Sequence, residues 1–220
     1  MSRPRPVRLA IALVAIAASL AVIGAVRAPQ IHTQMPSRAI TLALVGGTLI
    51  DGHGGAPLRN SVILVEGERI VAVGQVGSLA VPAGATIIST EGMHLLPGLW
   101  DMHVHLMLVG HGNYAYWDRV YPGELGSTII PAAAKQSLMA GVTSVRDLGG
   151  PLEELMDAKR RIASGEWQGA TIYTSGPFLQ KNPYPGTERF RWGVNGAADA
   201  RAKVKRLADA GVDEIGRAHV

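Results

Sequence analysis

Two histidines, His103 and His105, stand one residue apart in the stretch Pro97-Gly98-Leu99-Trp100-Asp101-Met102-His103-Val104-His105-Leu106. Imidazole nitrogens ligate divalent metals, and a metal-bound water is a nucleophile near neutral pH. For the pair to serve one ion, both rings must project from one side of one element. A β-strand does this, because its side chains alternate faces and residues two apart share a face with a rise of about 6.6 Å. Both rings would then lean inward to reach metal–nitrogen distances of about 2.0–2.1 Å. On this reading Leu99, Asp101, His103 and His105 form one row. Trp100, Met102, Val104 and Leu106 form an apolar row that packs against helices. A His-x-His pair alone also fits two histidines on a half-exposed strand, so the surrounding sequence must carry the distinction.

The elements that would position such a strand lie on either side of it. Upstream, residues 41–97 read as short strands broken by glycine. Leu42 to Val45 leads through Gly46-Gly47 to Thr48-Leu49-Ile50 and the loop Asp51-Gly52-His53-Gly54-Gly55. Ser61 to Val65 and Arg69 to Val73 are β-branched runs around Glu66-Gly67-Glu68, a hairpin signal. Ala85 to Ser89 and Met93 to Leu96 follow. His53 and His94 fall in turns or at strand ends and are assigned no chemistry.

Downstream the period changes, and helix signals alternate with strand signals, which predicts parallel strands joined by crossover helices. Pro131 to Ala140 reads as a helix with Gly141 stopping it, and Val142 to Asp147 as a strand. Pro151 to Ser164 reads as a helix with Leu152, Leu155, Lys159 and Ile162 on one side and Asp157 four residues before Arg161. Ala170 to Thr174 is the next strand. A helix over 197–210 follows, with Ala197, Ala200, Val204, Leu207 and Ala208 as its inner stripe, and Val212-Asp213 begin a fourth strand.

Two long loops, Met107 to Ser127 and Phe178 to Gly196, are predicted to shape a substrate pocket or to pack their aromatics onto the core. The first holds the pocket candidates His111, Tyr114 and Trp117; the second holds Lys181, Tyr184, Arg189, Phe190, Arg191 and Trp192. Asp147, at a strand end, reads as structural first and as a pocket candidate second. Asp101 reads either as a carboxylate orienting an imidazole or as a buried structural one.

With the Pro97-Gly98-Leu99-Trp100-Asp101 lead-in, the histidine pair and the glycine-punctuated strands, the chain resembles the amidohydrolase superfamily, in its imidazolonepropionase-like and Xaa-Pro dipeptidase-like branches. The resemblance implies an α/β fold. Residues 98–213 would form the first half of a (β/α)8 TIM-type barrel, and residues 41–97 part of a small β-sandwich before it. It implies hydrolysis of amide-type carbon–nitrogen bonds in small cyclic amides or dipeptides, by water activated on one or two divalent ions, Zn2+ foremost. His103 and His105 would be the ligands. In the family, a strand of the form Gly-Val-Asp-x-Ile-Lys supplies a carbamylated lysine that bridges two metals. Gly211-Val212-Asp213 match its start, but position 216 is Gly. Further histidine ligands and an acid/base aspartate are expected from later strands. No catalytic residue is therefore assigned, and the chain by itself is expected to be inactive. A non-catalytic truncated fragment or binding module is the alternative.

Composition narrows the classes further. With 47% hydrophobic and 17% charged residues, the 220-residue chain has the makings of a core rather than of a disordered coil. The absence of cysteine excludes disulfides and thiolate metal sites. The net charge of +4 owes much to Arg3, Arg5 and Arg8, and no basic stripe interleaved with aromatics points to nucleic acid. Those arginines precede an uncharged run, Leu9 to Val26, so residues 1–28 read as an export signal. Pro29 follows the Val26-Arg27-Ala28 cleavage site, which leaves an uncleaved membrane anchor open. The expected location is periplasmic, secreted or membrane-anchored. Residues 29–40 read as a linker. Residues 214–220 resemble the in-frame translation of a sequencing-library adapter, against a natural terminus that spells the same peptide.

Overall fold

The computed structural model describes residues 39–108, 113, 116 and 119–217. The 1–28 segment, nearly all of the 29–40 linker, and His111, Tyr114 and Trp117 lie outside the described residues. Two compact units divide the chain. The first runs through Thr48 and again over Leu58–His94; the second takes Leu49–Pro57 and the chain from Leu95 onward.

In the first unit, β1 (Leu42–Val45), β3 (Ser61–Glu66), β4 (Arg69–Gln75) and β5 (Thr86–Ser89) form a sheet in the order β4-β3-β1-β5. β3 runs antiparallel to both neighbours, and β1 runs parallel to β5. The hairpin between β3 and β4 turns at Gly67, whose φ of 58° glycine adopts without steric cost. β3 lies between β4 and β1; its Ser61, Val62, Ile63 and Leu64 are all buried, and Ala43, Val62 and Leu64 form the core. The short strands β2 (Thr48–Leu49) and β6 (His94–Leu95) pair where the chain passes between units.

The second unit is built on a parallel sheet of β7 (Leu99–Val104), β8 (Val142–Asp147) and β9 (Thr171–Thr174) in sequence order. A π-helical turn, Leu125–Ile129, leads into α1 (Ile130–Met139), and α2 (Leu152–Ala163) joins β8 to β9. Ile130 and Ala134 of α1 and Leu155 and Ala158 of α2 are buried with Val145 and Ile172 in one core. Side chains such as Leu155, Ile130 and Ile172 contribute about 1.5–3 kcal/mol each by leaving water. α2 carries Glu153 and Glu154 in its first turn and Arg160 and Arg161 in its last, which suits the helix dipole. The expected Asp157–Arg161 pair forms at 2.8 Å.

Three expectations are corrected. The segment 178–196 is not irregular, since β10 (Phe178–Gln180) and β11 (Arg191–Gly193) pair in parallel within it. The following helix, α3 (Gly196–Asp209), buries only Leu207 of its predicted stripe, while Ala197, Val204 and Ala208 are exposed. It packs through one end, where Leu207 joins Leu152 and Leu179. Val212 and Asp213 begin no strand. Asp213 instead clasps the end of β9: its N–H donates to the Thr174 carbonyl at 2.9 Å, and its carboxylate accepts the Thr174 N–H at 2.8 Å. Lys159 Nζ donates to the same carboxylate at 2.6 Å.

Candidate functional site

β7 carries His103, and His105 follows just past its end. The lead-in glycine has a steric reason, because a Cβ at Gly98 would lie 2.1 Å from Thr143 Oγ1 on β8. The register pairs Asp101 with Val145 but Val104 with Asp147, so β7 holds one more residue than β8 across this stretch. Such a bulge breaks strict alternation. Asp101 therefore does not simply continue the row of His103. Its Oδ1 accepts the backbone N–H of His103 at 3.1 Å, which holds that residue's main chain rather than an imidazole ring. The apolar row is interrupted too. Val104 and Leu106 pack into the core, whereas Trp100 and Met102 are exposed and Trp100 stacks on Tyr173 at 4.9 Å.

The rings of His103 and His105 lie with centroids 5.4 Å apart at an interplanar angle of 75°. His105 Nδ1 is 2.9 Å from the carbonyl oxygen of Gly149. A carbonyl can only accept, so Nδ1 carries the proton and Nε2 keeps its lone pair. Asp147 braces this arrangement from below. It is fully buried, with Oδ2 accepting the Leu106 N–H at 2.8 Å and Oδ1 the Gly149 N–H at 2.9 Å. One carboxylate thus ties the residue after His105 to the residue whose carbonyl holds the His105 ring. Burial pushes the Asp147 carboxyl above its ordinary range, against the two N–H bonds and the nearby imidazoles, which pull it down.

Gly149 is the residue that sequence reasoning passed over. A Cβ there would lie 2.3 Å from Phe178 Cδ1 and 3.4 Å from His105 Cε1, so only glycine brings its carbonyl to the ring. Two cavities meet at His105. One, of about 310 Å³, is lined by His103, His105, Arg146, Leu148, Phe178 and residues 214–217. In it, Arg146 Nε donates to Glu214 at 2.8 Å, and Gly216 sits so that a Cβ would lie 2.7 Å from Ser175 Oγ. The other, of about 150 Å³, is lined by His105, Met107, Leu108, Gly149, Phe178, Phe190 and Arg191. Asp147 lines neither and acts on His105 through Gly149. Among the described residues, no group of three or more His, Cys, Asp and Glu side chains gathers to hold an ion.

The chain matches the amidohydrolase family over residues 94–219, more than half its length, and belongs to that family. Ochratoxinase of Aspergillus niger is 31% identical over 164 residues, covering 70% of this chain and 32% of that protein. Dihydroorotase of Leifsonia xyli subsp. xyli is 29% identical over 173 residues, covering 78% of this chain and 34% of its own. Among solved structures, molinate hydrolase superposes with a TM-score of 0.69 at 28% identity, covering 82% of this chain and 45% of its own. A prolidase complexed with N-methylphosphonate-L-proline gives 0.68 at 26% identity, covering 80% and 46%. The chain spans about a third of the length of these curated relatives. Its mixed α/β fold is similar to amidohydrolase TIM-barrel structures, and the family generally uses divalent metals.

Proposed function

We propose that the whole protein is a metal-dependent hydrolase of amide-type carbon–nitrogen bonds in small molecules or dipeptides. In this reading the chain carries the first part of a (β/α)8 barrel and part of the sandwich before it. The observation that carries the reading is the ring of His105, its Nδ1 proton committed to Gly149 and its Nε2 free, beside His103 at the wall of a cavity. The ring centroids lie 5.4 Å apart, a separation at which both imidazoles could hold one ion. Two neutral imidazoles suit Zn2+ foremost. The barrel reading has its own support. α1 and α2 cover one face of the β7-β8-β9 sheet while Trp100 and Met102 stay exposed, and parallel sheets are ordinarily covered on both faces.

A bound ion would supply a water acidified toward neutral pH and polarise the scissile carbonyl. The chain's own residues do the rest of the local work. His103 and His105 offer the nitrogens, Gly149 fixes the tautomer and plane of His105, and Asp147 holds Gly149 and Leu106 in place. Phe178 walls both cavities.

The test is elemental analysis of the full-length protein purified without chelators, alongside hydrolysis of a dipeptide panel. Bound divalent metal that is lost in His103→Ala and His105→Ala, together with turnover, is the expected result; a metal-free protein overturns the reading. A second reading, a binding module without turnover, is favoured by the lone histidine pair among the described residues. Metal binding without hydrolysis would select it. From residues 1–28 we also propose export, with cell fractionation separating a released protein from a membrane-anchored one.

A further inference from the structure

Arg191 opens β11, and its side chain lines the 150 Å³ cavity that also contains His105. Three aromatic rings flank its guanidinium, with Cζ 4.8 Å from the Phe178 centroid, 5.0 Å from Tyr184 and 5.3 Å from Phe190. One donor is engaged: Nη1 gives its hydrogen to Gln180 Oε1 at 3.0 Å. Nε is buried and has no hydrogen-bond partner among the described residues. No described carboxylate pairs with this arginine, whereas Arg146, Arg161 and Arg189 each meet one, in Glu214, Asp157 and Glu154. A buried donor on a charged group is costly to leave unmatched, and aromatic faces compensate a cation only in part.

We propose that Arg191 is the receptor for a carboxylate on the substrate. With Gln180 holding Nη1, the free edge of the guanidinium is Nε and Nη2, and that edge matches the two oxygens of a carboxylate with parallel N–H···O bonds. The rings of Phe178, Tyr184 and Phe190 lie against the guanidinium and restrain the fork. Met107, Leu108, Phe178 and Phe190 make the remaining wall apolar, with Arg191 its cation. His105 and Arg191 border the same small space, which places the carboxylate a few bonds from the group presented to the histidines. The ligand class is an amide bearing a nearby carboxylate, such as an N-acyl amino acid or a dipeptide. Calling it a substrate rests on the hydrolase reading; the recognition itself is a matter of binding alone.

The test compares N-acetyl-L-leucine with N-acetyl-L-leucinamide as probes of the full chain by calorimetry. The acid is expected to bind about tenfold or more tighter than the amide, because a charge-assisted bond is lost with the amide. Arg191→Met should bring the ratio near one, and Arg191→Lys should keep part of it. The Nε–H resonance of Arg191 should shift with the acid and not with the amide. That measurement needs no mutation, and it decides the matter if Arg191→Met fails to fold. Equal binding of acid and amide, a preference that survives Arg191→Met, or an unmoved Nε–H signal overturns the proposal. If the preference holds but the whole protein hydrolyses nothing, the hydrolase reading falls and the receptor stands. If hydrolysis occurs but ignores the carboxylate, the receptor falls and the hydrolase reading stands.

Discussion

Replacing Asp147 by Asn leaves the shape of the side chain almost unchanged and removes one acceptor. In the native chain the two carboxylate oxygens each accept a buried backbone N–H, at 2.8 Å from Leu106 and 2.9 Å from Gly149. An amide group can accept at its oxygen, but its NH2 would face the other N–H, donor against donor. A buried donor left without a partner costs about 1–3 kcal/mol, which corresponds to about 5- to 150-fold in an opening equilibrium. Asp147→Ala leaves both donors unmatched, so its upper bound is about 2–6 kcal/mol, lowered by relief of the carboxylate's own desolvation. Native-state hydrogen exchange at Leu106 and Gly149 reads this directly. In Asp147→Asn one of the two amides should exchange about 5- to 150-fold faster, and in Asp147→Ala both should. Because Gly149 also holds His105, divalent-metal affinity should fall about 10- to 100-fold in the same variants. Unchanged exchange at both amides would refute the bracing role. Faster exchange with unchanged metal affinity would refute the link from Asp147 through Gly149 to His105.

Other expectations follow from single contacts. Gly149→Ala sets a methyl 2.3 Å from Phe178 Cδ1, an overpacking that should cost about 1–3 kcal/mol in urea unfolding. Leu155→Ala empties a fully buried position between α2 and the sheet and should cost about 2–5 kcal/mol, seen as a lower denaturation midpoint. Lys203 and the Asn195 N–H hold the Asp199 carboxyl below its usual range, Lys203 more strongly. A depressed carboxylate stabilises the fold above its unfolded value of about 3.9 and loses that effect as pH falls through the folded value. The first turn of α3 should therefore exchange its amides faster, relative to intrinsic rates, on going from about pH 5 to about pH 3. Asp199→Asn should abolish that dependence.

Much of the secondary structure was legible because its signals are local. The strand Val142–Asp147 appears with the bounds read from sequence, and α2 differs from its expected span by one residue at each end. Gly67 and the β-branched runs around it likewise specified a hairpin without help from elsewhere. The stripe on α3 misled for the opposite reason. Periodicity shows which residues share a side of a helix, but whether anything covers that side depends on neighbours, and only the Leu207 end of α3 has them. Asp101 misled because a bulge is a property of a strand pair, and the extra residue of β7 is visible only against β8.

The histidine pair shows the same division within one site. Residue types and their spacing determined by themselves that His103 and His105 could reach a common ion, because strand geometry and imidazole chemistry act over two residues. Tertiary structure decided which nitrogen of His105 is free, through a carbonyl 44 residues away, and what holds that carbonyl, through a carboxylate 41 residues from Leu106. It also decided that Arg191 shares a cavity with His105 while its Nε stays unmatched among the described residues. Hydrogen bonds and close packing act over a few ångströms of space, and the fold brings such partners together across separations that local periodicity does not encode.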